Sequence, residues 1–276
     1  METPDVSEQA LLEAARAGDR KAMDALLEKY QAPIYRFGMK MCGDPEDAKD
    51  ILQETLLAVV RNVRDFRGGS AVSTWLYTIA RSFCIKKRRR SKFAPDHEES
   101  LEAESDREAR SIPDANRAPD EVMHAKQVKR VLEEAIGELD PIYREVLVLR
   151  DVEGLSAPKV SEVLGISVEA VKSRLHRARI AVRARVAPVL GIGAEEPGPS
   201  CPDVVSLLSR HMEGEISSEV CAQMERHLAG CPHCRTACDS LRHTLTLCKA
   251  TPTPKVPGAV QDSVRRAIQA FVAKTG

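Results

Sequence analysis

Apolar side chains return every three or four positions over two long stretches of this chain, and that period decides its fold class. Between residues 7 and 90 they run Leu11-Leu12, Ala15, Met23, Leu26-Leu27, Tyr30, Ile34 and Phe37, then Ile51, Leu52, Leu56 and Val59, then Trp75, Leu76, Ile79, Ala80 and Phe83. A second series, Val128, Val131, Leu132, Ala135, Ile136 and Leu139, opens at about Val122. Gly18-Asp19, Gly43-Asp44-Pro45 and Arg67-Gly68-Gly69-Ser70 punctuate the first stretch as turns. Asp44 or Asp47 can cap the helix that follows. Asp140-Pro141 ends one helix and starts the next, with Asp as cap and Pro at the first helical position. No segment alternates like a strand and no repeat is visible, so the expected fold is all-α.

A length of 276 residues allows two or three domains. The longest apolar runs, such as Leu56 to Val60, are far too short to span a bilayer. The acidic start, Met1 to Asp5, lacks the basic-then-apolar pattern of a signal peptide. A membrane or secreted protein is therefore not expected, and the reading is cytoplasmic.

Lys plus Arg and Asp plus Glu balance at 41 each, but the charges are segregated. Arg81 to Lys92 reads RSFCIKKRRRSK, with seven basic residues and no acid. Ala94 to Glu121 holds ten acids against three arginines, and Val168 to Arg185 holds six basic residues and one acid. Each basic block alone reads equally as a solvated helix face or a phosphate-binding one. Two of them on helices, either side of an acidic linker at 93–121, favour nucleic acid.

The second basic block lies in LSAPKVSEVLGISVEAVKSRLHRAR, two short helices joined at Gly165. Ser156 and Ser167 are the expected caps, and Gly165 supplies the positive φ of the tight turn. Val171, Leu175, Ala178 and Val182 fall on one face of the second helix. The opposite face presents Lys172, Ser173, His176 and Arg177, flanked by Arg174 and Arg179. A helix with a buried stripe and a basic face fits the major groove, where Arg and Lys pair with guanine edges.

Residues 140–179 resemble region 4 of bacterial extracytoplasmic-function (ECF) sigma factors, and residues 9–90 resemble region 2 of that family. The matching pieces of region 2 are Gly18-Asp19, DPEDAKDILQETLLAVV (44–60) and FRGGSAVSTWLYTIARSFCIKKRRR (66–90). The resemblance implies two helical sigma domains that bind core RNA polymerase and promoter DNA. It makes the face carrying Asp47, Asp50, Gln53 and Glu54 the polymerase-docking surface. It also assigns Arg81, Ser82, Lys86, Lys87 and Arg88 to the −10 strand, and Lys172, Ser173, Arg174, His176 and Arg177 to the −35 element. Ser82 stands where many members carry Asn, and Ala157-Pro158 replaces the usual aromatic-acidic pair. Five of the ten aromatics (Phe66, Trp75, Tyr77, Phe83, Phe93) lie among the basic residues of 66–93, a mixture suited to single-stranded DNA. Trp75 shares a face with Leu76 and Ile79 and is read as core.

Six of the eight cysteines lie in the last 76 residues. Cys201 is followed by His227-x3-Cys231-x2-Cys234, a Cys3His set able to close a tetrahedral zinc site. His227 and Cys231, four apart on a helix, would point the same way. The pattern resembles the zinc-binding domain of anti-sigma factors, with helices over 203–212 and 218–228. Cys221 should point away from the site, Cys238 can reach it if its segment is helical, and Cys248 lies beyond. These three are candidate sensor thiols, with Zn(II), Cu(I), Cd(II) or an oxidant as signal. Val260, Val264, Ile268 and Phe271-Val272 make a short amphipathic helix that needs a partner surface.

The expected division is region 2 at 1–92, the linker at 93–121, region 4 at 122–190, the zinc unit at 191–250, and a linker with the C-terminal helix at 251–276. The leading function is a sigma factor, not an enzyme, whose tail docks on the sigma domains and regulates them in cis. The alternative is a helix-turn-helix regulator that never binds polymerase. The aromatic-basic segment argues against it, because a duplex reader needs no strand-holding helix. A closed Cys3His site, with no general base nearby, argues against a zinc enzyme.

Overall fold

The computed structural model describes residues 8–66, 68, 70–93, 119–192, 198, 200–250 and 255–275, which form helices and no strand. Most of the acidic linker (94–118) lies outside the described residues, as do 193–197 and 251–254 of the other two linkers. No helix among the described residues is long and apolar enough to cross a membrane.

The first bundle comprises α1 (Glu8–Arg16), α2 (Arg20–Cys42), α3 (Pro45–Asn62) and α4 (Val72–Phe93). Asp19 caps α2, accepting from the backbone of Lys21 and Ala22. Of the two candidate caps of α3 it is Asp44 that acts, accepting from Asp47 N at 2.8 Å. Gly38 lets α2 and α3 touch, since a Cβ there would lie 3.0 Å from Ala48 Cα. Leu26, Ile34, Phe37, Ile51, Leu52, Leu56 and Leu76 fill the interior. Each such side chain stabilises by about 1.5–3 kcal/mol when removed from water. Trp75 is core-packed as expected, stacked on Phe66 at 4.5 Å.

The second bundle comprises α5 (Pro119–Glu138), α6 (Pro141–Leu147), α7 (Ala157–Leu164) and α8 (Val168–Val186), with a π-helical turn over Val148–Val152 after α6. Asp140 caps α6 and Pro141 opens it. The tail adds α9 (Val204–His211), α10 (Ser218–Gly230), α11 (Pro232–Lys249) and α12 (Gly258–Thr275).

The parts pack on one another. α2 lies against α5 and α6, and α4 against α7. α9 and α11 lie against α8, and α12 against α3. One continuous apolar cluster joins both bundles with Cys248, Val256, Val260 and Val264 of the tail. The cysteine-rich part of the tail has its own core of Val204, Leu208, Met224, Cys234, Ala237, Cys238, Leu241 and Leu245.

Candidate functional site

The helix-turn-helix forms as its sequence requires. Gly165 ends α7 at φ 66°, ψ 38°, a left-handed conformation that a side chain would strain. Ser167 caps α8, accepting from Ala170 N at 3.1 Å. Val171, Leu175, Ala178 and Val182 are buried along one face. Lys172 and Arg174 are half-buried, Ser173 and Arg177 exposed, and Arg177 donates to the Tyr143 hydroxyl at 3.2 Å.

Two residues of this helix are not on the open face. His176 is half-buried with Nδ1 unpaired, among the charges of Asp203, Arg210 and Glu215 of the tail, and its burial lowers the imidazole pKa. Arg179, read as a flanking cation, is 1% exposed. It donates Nε and Nη2 to the two oxygens of Asp151, and Nη2 also to Glu213 of the tail at 2.8 Å. Arg183 donates to Ser240 Oγ at 2.6 Å, a second link from α8 to the tail.

On the first bundle, α3 and α4 set the two predicted faces side by side. Lys87 forms ion pairs with Asp47 at 2.9 Å and Asp50 at 2.7 Å, and its pKa rises through those hydrogen bonds, Asp50 first. Lys86 sits over the Phe83 ring at 5.1 Å. Ser82 is exposed and donates to Ile79 O. Asp50, Gln53, Glu54, Phe83, Lys86 and Lys87 line one shared groove. α12 reaches this face, where Ser263 Oγ donates to Gln53 Oε1 at 3.4 Å, while Val260 and Val264 are buried.

Arg81 and Arg88 turn toward the second bundle. Arg81 Nε donates to Glu145 Oε2 at 2.8 Å, and Arg88 lies 3.8 Å from Oε1 of the same carboxylate. Nearby, Arg36 grips Glu153 with bonds of 2.7 and 2.6 Å, and Tyr77 donates its hydroxyl to Glu153 at 2.7 Å. Lys40 pairs with Glu133 across the same seam.

The tail brings Cys201, His227, Cys231 and Cys234 together, with one ligand atom from each lying within 4.8 Å of all the others. Cys201 Sγ and Cys231 Sγ are 3.9 Å apart, and His227 Nε2 and Cys234 Sγ 3.2 Å. The route differs from the expected one. α10 ends at Gly230, and Cys231 is extended (φ −118°, ψ 102°) between two helices, so His227 and Cys231 do not share a helix face. Arg235 holds that junction by donating to the carbonyls of Leu228 and Ala229. Burial, together with the neighbouring thiols, pushes Cys234 up to about 12, the cost a soft cation must offset to bind a thiolate there.

None of the three surplus thiols joins this cluster. Cys221 points toward Glu225 at 3.8 Å, as expected for a residue on the far side of α10. Cys238 does lie on a helix, yet its thiol donates to Val204 O at 3.7 Å inside the tail's core. Cys248 is buried in the core that joins the tail to the bundles, and burial pushes it up to about 12.

Reading the sequence did not single out Arg36, Glu145, Asp151, Glu153 or Glu213. Arg36 and Glu153 are 117 positions apart, and no local pattern marks either.

Residues 26–93 match the family described as Sigma-70 region 2, and residues 129–182 match Sigma-70, region 4. Residues 201–235 match a family described as "Putative zinc-finger". The chain is 32% identical over 191 residues to the RNA polymerase sigma-H factor of Pseudomonas aeruginosa, covering 66% of this chain and 95% of that protein. It is 29% identical over 191 residues to the ECF RNA polymerase sigma-E factor of Haemophilus influenzae, covering 67% of this chain and 98% of that protein. Among solved structures it resembles CnrH in complex with the cytosolic domain of CnrY, at 23% identity and a TM-score of 0.47, over 64% of this chain and 95% of that one.

Proposed function

This chain belongs to the ECF branch of the sigma-70 family and directs transcription initiation rather than catalysing a reaction, and from that premise we propose that its own tail holds it in check. Sigma factors of this family bind core RNA polymerase and promoter DNA, and in this reading the chain works in the cytoplasm. In this reading Asp47, Asp50, Gln53 and Glu54 meet polymerase. Arg81, Ser82, Lys86, Lys87 and Arg88 hold the −10 strand. Lys172, Ser173, Arg174, His176 and Arg177 read the −35 element.

The observation that carries the regulatory reading is the seat of α12 on α3. Val260 and Val264 are buried there and Ser263 touches Gln53, so the helix takes up surface that this reading gives to polymerase. The other end of the tail supports the same sign. α9 lies on α8, with His176 beneath it and Arg179 paired to Glu213. A tail joined by short linkers has an effective concentration of the millimolar order, so weak contacts suffice.

Cys201, His227, Cys231 and Cys234 are the residues that would hold zinc. Four soft donors grouped around one point fit it, and they leave no position for a reacting water. Bound zinc would cross-link α10, α11 and the approach to α9. Its exchange for Cu(I) or Cd(II), or oxidation of the thiols, would alter how the tail seats. Of the three surplus thiols, Cys221 is half-exposed, while Cys238 and Cys248 are buried and answer only when the tail opens.

The test is promoter-specific transcription with core polymerase, comparing the full chain with residues 1–190 across Zn, Cu and Cd concentrations and under peroxide. The fragment should initiate, and more strongly than the full chain. A folded fragment that fails to initiate would make the tail part of the machinery and overturn the reading. Equal activity of the two proteins in every condition would reduce the tail to a structural appendage.

A further inference from the structure

The Arg81–Glu145 contact carries one step beyond this reading, and it rests on the assignment of Arg81 and Arg88 to the −10 strand. We propose that Glu145 occupies, on Arg81 and Arg88, the place of a backbone phosphate of that strand, so that closure of region 4 onto region 2 and capture of single-stranded DNA exclude each other.

The two cations lie seven positions apart on α4, so they share a face. A carboxylate from α6 enters between them, at 2.8 Å from Arg81 and 3.8 Å from Arg88, with its side chain 6% exposed. Glu145 is thus a buried anion drawn from the other bundle, serving two guanidinium groups that a strand-holding helix would otherwise turn to phosphate.

It serves them incompletely. At 3.8 Å the second contact is too long for a hydrogen bond, and Arg88 Nη1 is buried without a partner. A carboxylate offers two oxygens and one charge, and both oxygens already face the pair. Successive phosphodiesters of a bound strand bring more oxygens and more charge, and can satisfy both guanidinium groups. The carboxylate is buried but the arginine side chains are 27% and 34% exposed, and in such part-buried pairs desolvation of the anion and solvent screening of the cations offset much of the attraction. The occupant is therefore displaceable, as a switch requires. Glu153, gripped by Arg36 and Tyr77, supplies the firmer hold between the bundles and touches neither cation of the −10 set.

The experiment uses the full-length chain and a fluorescein-labelled single-stranded oligonucleotide of random sequence, since binding to phosphate is sequence-independent. Binding is followed by anisotropy over a salt series. Glu145→Gln, nearly isosteric, should tighten binding several-fold and steepen the dependence of log K on log salt by about 0.7 for each further phosphate neutralised. Glu145→Asp keeps the charge but shortens the reach, and should fall between that variant and the parent. The paired change Arg81→Ala/Arg88→Ala tests the underlying assignment separately and should weaken binding. If it weakens binding while Glu145→Gln changes neither affinity nor slope, Glu145 is no phosphate surrogate and the −10 assignment stands. If it leaves binding untouched, the −10 assignment itself fails. A further measurement needs no variant: small-angle scattering of the unaltered chain should show expansion as oligonucleotide saturates it. Saturation without expansion would overturn the proposed exclusion.

Discussion

Arg179 and Asp151 form a two-pronged ion pair, Nε to Oδ2 at 2.8 Å and Nη2 to Oδ1 at 2.6 Å, with both side chains sealed from solvent. Glu213 closes on the same guanidinium from the tail and also meets Arg150 at 3.3 Å. A charge on the second helix of the helix-turn-helix is thus neutralised from inside its own bundle and from the tail at once.

Replacing Arg179 by Met should destabilise the chain by about 3–5 kcal/mol, because Asp151 is left buried without its cation and Glu213 keeps only Arg150. Denaturant unfolding measures this. Glu213→Gln is the milder change, since Arg179 keeps Asp151. It should free the tail while the bundles stay folded, and limited proteolysis should then cut faster between residues 191 and 200. An unchanged cleavage rate would show that Glu213 does not hold the tail.

Val264→Asp should dislodge α12. Val264 is 1% exposed against α3, and a carboxylate there would be buried without a partner. Losing about 1.5–3 kcal/mol of burial shifts the docking equilibrium by roughly tenfold or more. The full-length variant should bind core polymerase correspondingly more tightly in a titration. Unaltered affinity would mean that α12 does not compete with polymerase.

On α8, Lys172→Ala or Arg177→Ala should cost about 1–3 kcal/mol on promoters carrying the preferred −35 sequence and less on others. Arg89→Ala, on the exposed side of α4, should weaken binding evenly and flatten its salt dependence. An even loss from the α8 changes across all promoters would remove Lys172 and Arg177 from base reading.

Purified protein should carry about one zinc per chain, and Cys231→Ser/Cys234→Ser should carry none. Cys234 also sits in the tail's own small core, so the double change should melt that unit while α1–α8 stay folded. Metal content and a two-step melting curve report the two effects. Full metal retention by the double variant would rule out the site.

The pieces that sequence determined are those set by local chemistry. Apolar period set the helices, and side chains within two or three positions capped them, as Asp44, Asp140, Ser156 and Ser167 do. Gly165 was legible because only its positive φ lets the chain turn there. That Cys201, His227, Cys231 and Cys234 would gather was legible from their spacing, even though Cys231 reaches the cluster from an extended segment rather than a helix.

Tertiary structure decided the rest, because charge is assigned by neighbours rather than by sequence. Arg81, Arg88, Arg174 and Arg179 all look alike in a basic block. Packing then buries Arg179 between two carboxylates, leaves Arg174 half-buried on α8, and sets Arg81 and Arg88 on Glu145, 64 positions from Arg81. Cys238 has the spacing of a ligand, but the packing of α11 on α9 turns its thiol inward to Val204. The apolar face of α12 demands a partner that its own residues do not name. That partner is α3, over 190 positions earlier, since long-range contacts follow from how helices stack and leave no periodic trace in the chain.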